Sequence, residues 1–73
     1  MAISGNGDAH GDAMCPDGSH AISGGVDAGS DQAYVVASRP TPDGKGWHGN
    51  AASYYNGNPQ DVAGTVYALC QAD

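Results

Sequence analysis

The stretch "CPDGSHAISGG", residues 15–25, contains the first of only two cysteines in this sequence. The second, Cys70, lies at the end of "TVYALC", residues 65–70. A disulfide between Cys15 and Cys70 would close a loop of about 55 residues and stabilise the fold by roughly 4 kcal/mol, a large part of a small domain's net stability. Two buried free thiols are the alternative. A disulfide predicts an oxidising compartment or the outside of a particle.

The composition predicts a thin hydrophobic core. The 73 residues include no Phe and a single Trp, Trp47, and much of the 40% hydrophobic fraction is alanine, which buries little area. The 12 glycines add conformational entropy that folding must overcome. A chain of this length usually needs a disulfide, a metal or a partner chain to fold stably.

The charge balance is acidic and depends almost wholly on aspartate. There are eight Asp, one Arg and one Lys, with no Glu, and the net charge is −6. Asp favours turns, whereas Glu and Lys favour helices. Nucleic-acid binding draws on Lys and Arg, so no nucleic-acid partner is expected. No apolar run reaches about 18 residues, so no membrane insertion is expected.

Short apolar runs separated by turn residues predict an all-β fold. "QAYVVAS" (32–38), rich in Tyr and Val, is the strongest strand. "RPTPDGKG" (39–46) and "NGNPQD" (56–61) are typical of turns. The other predicted strands are 19–27, 47–55 and 62–70, with an early one around "AISG" or "GDAMC". This pattern predicts a small antiparallel sandwich or barrel of about five to six short strands, closed by one disulfide.

The chain is expected to form one module with an N-terminal extension. Residues 1–14 are expected to be flexible or to form an edge strand, because chain termini are often poorly ordered. Residues 15–73 are expected to form a single β-module. Within it, the pair Gly24 and Gly25 inside a strand pattern predicts a β-bulge or a close backbone approach.

Two predicted strands are apolar on both faces. In 62–70, one face is expected to point inward and the other, with Tyr67 and Leu69, needs a loop, a partner chain or a ligand to cover it. The expected inward residues are Val62, Val66, Ala68 and Cys70, opposite Thr65, Tyr67 and Leu69. In 33–39, alternation groups Tyr34 with Val36, and Val35 with Ala37 and Arg39. Such strands indicate burial on two sides or self-association.

The order "CPDG…AISGG…VVASRPTPDGKGW…TVYALC" resembles small secreted modules common in actinobacteria and in some phage tail proteins. The resemblance covers residues 15–70. It departs in "HGNAASYY", residues 48–55, where the family pattern alternates Val and Thr. The resemblance implies a disulfide-linked β-domain without enzymatic activity. The matching residues are Cys15-Pro16-Asp17-Gly18, Gly24-Gly25, Ser38-Arg39-Pro40, Gly46-Trp47 and Val66-Tyr67-Ala68-Leu69-Cys70.

The N-terminal segment "GNGDAHGDAM", residues 5–14, is a candidate metal site. Asn6, Asp8, His10 and Asp12 alternate, so in an extended chain all four would point to one side. Oxygen ligands suit Ca²⁺, and a His/Asp mixture suits a transition metal. The favoured expectation is a solvated terminal segment without a bound cofactor, and Ca²⁺ or a transition metal is the alternative.

An aromatic and amide-rich segment is the candidate ligand surface. Trp and Tyr can stack on a sugar ring while Asn and His bond its hydroxyls. The alternative places Trp47 in the core, as a lone Trp in a small domain is usually buried. The candidate binding residues are Trp47, His48, Asn50, Tyr54, Tyr55 and Asn56.

No catalytic motif is present, and the sequence is not expected to encode an enzyme. With only two fixed positive charges, the chain offers little to activate a thiol nucleophile. We expect an extracellular or virion-surface module that attaches a larger secreted or phage-tail protein to a surface carbohydrate or other polymer. The alternative is a structural subunit that self-assembles into an oligomer, shell or filament.

Overall fold

The chain folds entirely into β-strands joined by turns, which confirms the predicted fold class. The computed structural model describes all 73 residues. None of its elements is a helix long and apolar enough to cross a membrane. The strands are β1 (Ala2–Asn6), β2 (Asp8–Met14), β3 (Ser19–Asp27), β4 (Tyr34–Pro40), β5 (Gly46–Ala52), β6 (Tyr54–Tyr55), β7 (Asn58–Pro59) and β8 (Asp61–Ala72).

Two antiparallel three-stranded sheets stack into an elongated sandwich. The first sheet has the order β1-β8-β3 and the second has the order β2-β5-β4. Strand β1 packs on β2, β8 on β5 and β3 on β4, so the central strands of the two sheets face each other. The molecule measures 46 × 17 × 15 Å. A small hairpin of β6 and β7 follows β5.

The hydrophobic core is as thin as the composition predicts. Val66, on the central strand of the first sheet, is the one large side chain that is fully buried. Partly buried Trp47 and Val26 extend the packing along the sandwich. The buried core consists of Ile3, Ala9, Ala51, Val62 and Val66. So little apolar area makes the fold dependent on its cross-link.

The predicted disulfide is present and connects the two sheets. Cys15 follows β2 of the second sheet, whereas Cys70 lies on β8 of the first sheet. Their Cα atoms are 5.8 Å apart, and no free cysteine remains. The alternative of two free thiols is therefore wrong. The bond ties the layers together near one end of the sandwich.

The glycine pair forms the close backbone approach that the sequence predicts, whereas the β-bulge lies just before it. The register of β3 against β8 shifts between Ala21 and Ser23, and both glycines pair regularly with β8 beyond this bulge. A Cβ atom at Gly24 would collide with the Trp47 ring, and one at Gly25 with the Tyr67 ring. Only glycine leaves room for these two aromatic side chains at such close range.

The N-terminal residues form two edge strands rather than a loose segment. β1 lies at the edge of the first sheet and β2 at the edge of the second. Ile3 and Ala9 are buried in the core. The N-terminal amine of Met1 donates a hydrogen bond to the Val66 carbonyl, 2.8 Å away. Residues 2–14 thus pack against the same core as the rest of the chain.

The predicted alternation holds for β8. Val62 and Val66 are buried, whereas Tyr67 and Leu69 point outward. Cys70 lies on the predicted inward face, since its disulfide reaches Cys15 beside the second sheet. It is nevertheless exposed, because it lies near the end of β8, beyond the buried core.

The predicted faces of β4 are wrong because of a second β-bulge. The register against β5 shifts between Val35 and Ala37, which leaves Val36 as the extra residue. Val35 lies opposite the buried Ala51, whereas Ala37 and Arg39 lie on the outer side of the sheet. Val35 therefore does not share a face with Ala37 and Arg39. Because β4 is an edge strand, Val35 and Val36 remain about half exposed.

Candidate binding surface

The outer face of the second sheet collects polar side chains from two distant parts of the sequence. On β2 and β5, Ala or Gly residues and Trp47 face the core, so the alternate residues point away from it. Strand pairing arranges the outward residues in three rows, Asp8–Ala52–Tyr34, His10–Asn50–Ala37 and Asp12–His48–Arg39. We call the seven polar and aromatic members the polar face: Asp8, His10, Asp12, Tyr34, Arg39, His48 and Asn50.

A histidine–aspartate pair lies in the row at one end of the polar face. His48 Nδ1 and Asp12 Oδ1 are 2.6 Å apart. An ionised carboxylate only accepts hydrogen bonds, so Nδ1 is the donor in this pair. The bond leaves His48 Nε2 free. The His10 ring lies beside it, with the two ring centres 6.5 Å apart.

Asn50 has an unused acceptor on this face. Its side-chain oxygen Oδ1 is buried and has no hydrogen-bond partner. Buried polar atoms nearly always have a partner, and this oxygen gains a donor from outside the chain when the Asn50 side chain turns towards solvent. Asn50 stands directly opposite His10 on β2. Neither His10 nor Arg39 forms an ion pair. The polar face thus keeps much of its bonding capacity free.

The predicted aromatic and amide set is divided among three places. His48 and Asn50 lie on the polar face. Trp47 points inward, packs against the core, and donates from Nε1 to Ser38 Oγ at 2.9 Å. Tyr54 and Tyr55 lie on the β6–β7 hairpin, with Asn56 in its turn.

The hairpin turn explains the conformation of Asn56. Its φ is +51°, and that of Gly57 is +79°. Two successive positive φ values are the requirement of a type I′ turn, for which Asn-Gly is the favoured sequence. Asn56 therefore has a structural role in the backbone, whatever its side chain binds. Tyr55, next to it, is 68% exposed.

The predicted metal-binding segment is also divided. Asp8, His10 and Asp12 share the polar face, as their alternation predicts. Gly7, with a φ of +80°, turns the chain from one sheet to the other, so Asn6 lies on the first sheet. Asn6 Nδ2 donates to Asp61 Oδ1 at 3.0 Å. No three His, Cys, Asp or Glu side chains lie close enough together to bind a metal ion.

The outer face of the first sheet differs in character. Tyr67 and Leu69 project from the central strand and are 49% and 54% exposed. Ser23 and Gly25 lie beside them on β3, without charge. As predicted, no other part of the chain covers these two side chains.

Tyr34 and Arg39 were not among the predicted site residues. The bulge at Val36 turns Arg39 to the same side as Tyr34, and nothing in the local sequence reveals that extra residue. The sequence does contain one signal for the polar face. In both "DAHGDA" and "WHGNAA", polar residues alternate with Ala, Gly or Trp. These two segments pair directly in the second sheet.

The surface contains no pocket, so the exposed sheet faces are the candidates for contact with a ligand. Comparison with known proteins gives no match, since no family model, no curated protein and no solved structure matches the chain. A function for this chain is therefore inferred from the geometry of its two exposed sheet faces.

Proposed function

We propose that the chain is a non-enzymatic binding module of a larger extracellular or particle-surface protein. Its polar face holds an extended, polyhydroxylated polymer such as a surface carbohydrate. The observation that supports this most strongly is the buried, partnerless Oδ1 of Asn50, surrounded on the same face by side chains with free donors and acceptors.

The chemistry of the polar face suits hydroxyl groups. A sugar hydroxyl both donates and accepts, so one molecule can serve Asn50 Oδ1 and the Arg39 guanidinium together. Imidazole, carboxylate and amide groups at fixed spacing on a sheet provide specificity at low conformational cost. Tyr34 adds an aromatic ring at one end of the face. Residues 8 to 12 of β2 span about 13 Å, the length of a few sugar units.

The location in this proposal is supported by the disulfide. Bonds of this kind persist in oxidising environments, outside the cytosol. The Cys15–Cys70 bond links the two layers of a thin sandwich, as expected for a small secreted domain. The resemblance to secreted and phage-tail modules points the same way.

The proposal can be tested by mixing the protein with insoluble cellulose, chitin or xylan and measuring how much protein each polymer removes from solution. The variants Asn50→Ala and Arg39→Ala should lose binding without loss of the folded state, because both side chains point away from the core. His20→Ala is the matched control, since His20 lies outside the polar face and pairs with Asp73. Its binding should equal that of the unchanged protein.

Two outcomes contradict the proposal. One is the absence of binding to all three polymers. The other is retained binding in both polar-face variants together with loss in Tyr55→Ala, which would assign the contact to the hairpin.

A second function is favoured by a different observation. Tyr67 and Leu69 lie half exposed on the uncharged centre of the first sheet, and the core beneath them is thin. Burial of such side chains by another copy stabilises an assembly. We therefore also propose a structural subunit that self-assembles through this face. Light scattering should then show a mass above 7.3 kDa that persists under reductant and falls to the monomer mass in Leu69→Asp.

A further inference from the structure

We infer that His10 and His48 form a binding site for a divalent first-row transition metal ion such as Zn²⁺ or Cu²⁺. Asp12 is the positioning residue for His48. The inference rests on the geometry of these side chains and does not require that the polymer-binding proposal be correct.

The two imidazoles lie where one ion can reach both. His10 and His48 project from neighbouring strands on the same side of the second sheet, two residues apart in register. Their ring centres are 6.5 Å apart. Two imidazoles that share an ion at Zn–N distances of about 2.0–2.1 Å have centres about 5–6 Å apart. His10 is exposed, so rotation of its side chain can provide the remaining approach.

Asp12 prepares His48 for this role. The Nδ1–H of His48 donates to Asp12 Oδ1, 2.6 Å away. This bond fixes the tautomer in which Nε2 carries the lone pair, which is the nitrogen left free to bind an ion. Histidine ligands in metal sites commonly have such a carboxylate partner on the second ring nitrogen.

Asn50 supplies a candidate third ligand. It lies opposite His10 and next but one to His48 on β5, and its buried Oδ1 has no partner. Two imidazoles and an amide oxygen can bind one ion together, without a third His, Cys, Asp or Glu side chain. Because imidazole suits Zn²⁺ and Cu²⁺, whereas Ca²⁺ prefers six or more oxygens, the site should select against Ca²⁺.

The third histidine provides an internal comparison. His20 Nδ1 lies 2.5 Å from Asp73 Oδ1, so His20 also has a carboxylate partner. No second imidazole lies beside it, because the only ring pair is His10 with His48. His20 thus matches His48 in its hydrogen bond but lacks the partner ligand.

The test is calorimetric titration of the chelator-treated protein with ZnCl₂, and separately with CaCl₂. One Zn²⁺ per chain should bind, without binding of Ca²⁺. His10→Ala and His48→Ala should each weaken Zn²⁺ binding by at least about tenfold, while His20→Ala should leave it unchanged. Failure to bind Zn²⁺, or an equal loss in His20→Ala, would overturn the inference.

A separate readout tests the positioning role of Asp12. Asp12→Ala should weaken Zn²⁺ binding by about tenfold or more. In the metal-free variant, ¹⁵N NMR of the imidazole should show the His48 proton moving from Nδ1 towards Nε2. Unchanged Zn²⁺ affinity and an unchanged tautomer would overturn this role.

Discussion

The indole ring of Trp47 lies directly against the backbone of Gly24, across the space between the two sheets. A Cβ at position 24 would collide with the ring and with the Tyr67 carbonyl. We predict that Gly24→Ala destabilises the protein by about 1–3 kcal/mol, the range for overpacking a fitted interior. Urea denaturation followed by far-UV circular dichroism measures the change.

A double-mutant cycle isolates the part of this effect that is due to the indole. In the background of Trp47→Leu, the smaller side chain leaves room beside position 24. The added effect of Gly24→Ala should then shrink, giving a coupling of about 0.5–3 kcal/mol. Fully additive effects would show that the Trp47–Gly24 contact does not limit the packing.

The disulfide should account for a large part of the net stability. It joins residues 55 positions apart, and the chain-entropy relation gives about 4 kcal/mol for such a loop. Replacing both Cys15 and Cys70 with Ser should therefore lower the free energy of unfolding by about that amount, as measured in urea. An unchanged urea midpoint after reduction of the natural chain would contradict this dependence.

The turn between β4 and β5 should make stability depend on pH in the acid range. The Thr41 hydroxyl and the Lys45 backbone N–H donate to Asp43 at 2.6 and 3.0 Å and lower the pKa of its carboxyl below the usual 3.8. The resulting stabilisation is complete above the unfolded pKa and is lost as the pH falls through the folded pKa.

Asp43→Asn tests this pH dependence. Its stability deficit relative to the natural chain should be present near neutral pH and shrink as the pH falls from about 5 to about 2. Urea midpoints across that range measure the difference. Asp31→Asn, at a carboxyl without a hydrogen bond, controls for the loss of a charge. A deficit that stays constant down to the lowest pH would contradict the prediction.

A substitution in the β6–β7 turn measures backbone strain without steric contact. Gly57 has a φ of +79°, but a Cβ there would meet nothing within 4 Å. Gly57→Ala should destabilise the protein by about 1–2 kcal/mol through backbone strain alone, as measured by thermal unfolding. Asn56→Gly keeps the left-handed conformation accessible and should have a much smaller effect. Equal effects would rule out the assigned turn geometry.

The fold class and the staple could be predicted from local features. Turn residues within the predicted ranges 39–46 and 56–61 separate the strands, although β4 runs to Pro40 and Asn58–Pro59 form β7. A thin core with two cysteines requires a cross-link. The alternation of Val62 and Val66 correctly identified the buried face of β8. These features depend on neighbouring residues along one strand, which the sequence displays directly.

The site depended on relations between strands, which the sequence does not display. His10 and His48 belonged to two separate hypotheses, and only the pairing of β2 with β5 brings them together. The turn at Gly7 removed Asn6 from the metal segment, and the bulge at Val36 placed Arg39 on the polar face. A single inserted residue reverses every later side chain of a strand.

The central claim is that the polar face is the surface that binds a ligand, and NMR tests it most directly. The ¹⁵N-labelled protein is titrated with chitotriose, cellotriose and xylotriose, and the shifted amide signals are mapped onto the two sheets. We predict that the largest shifts fall at His10, His48 and Asn50. Shifts confined to the hairpin at Tyr54 and Tyr55, or the absence of shifts with all three sugars, would contradict the claim.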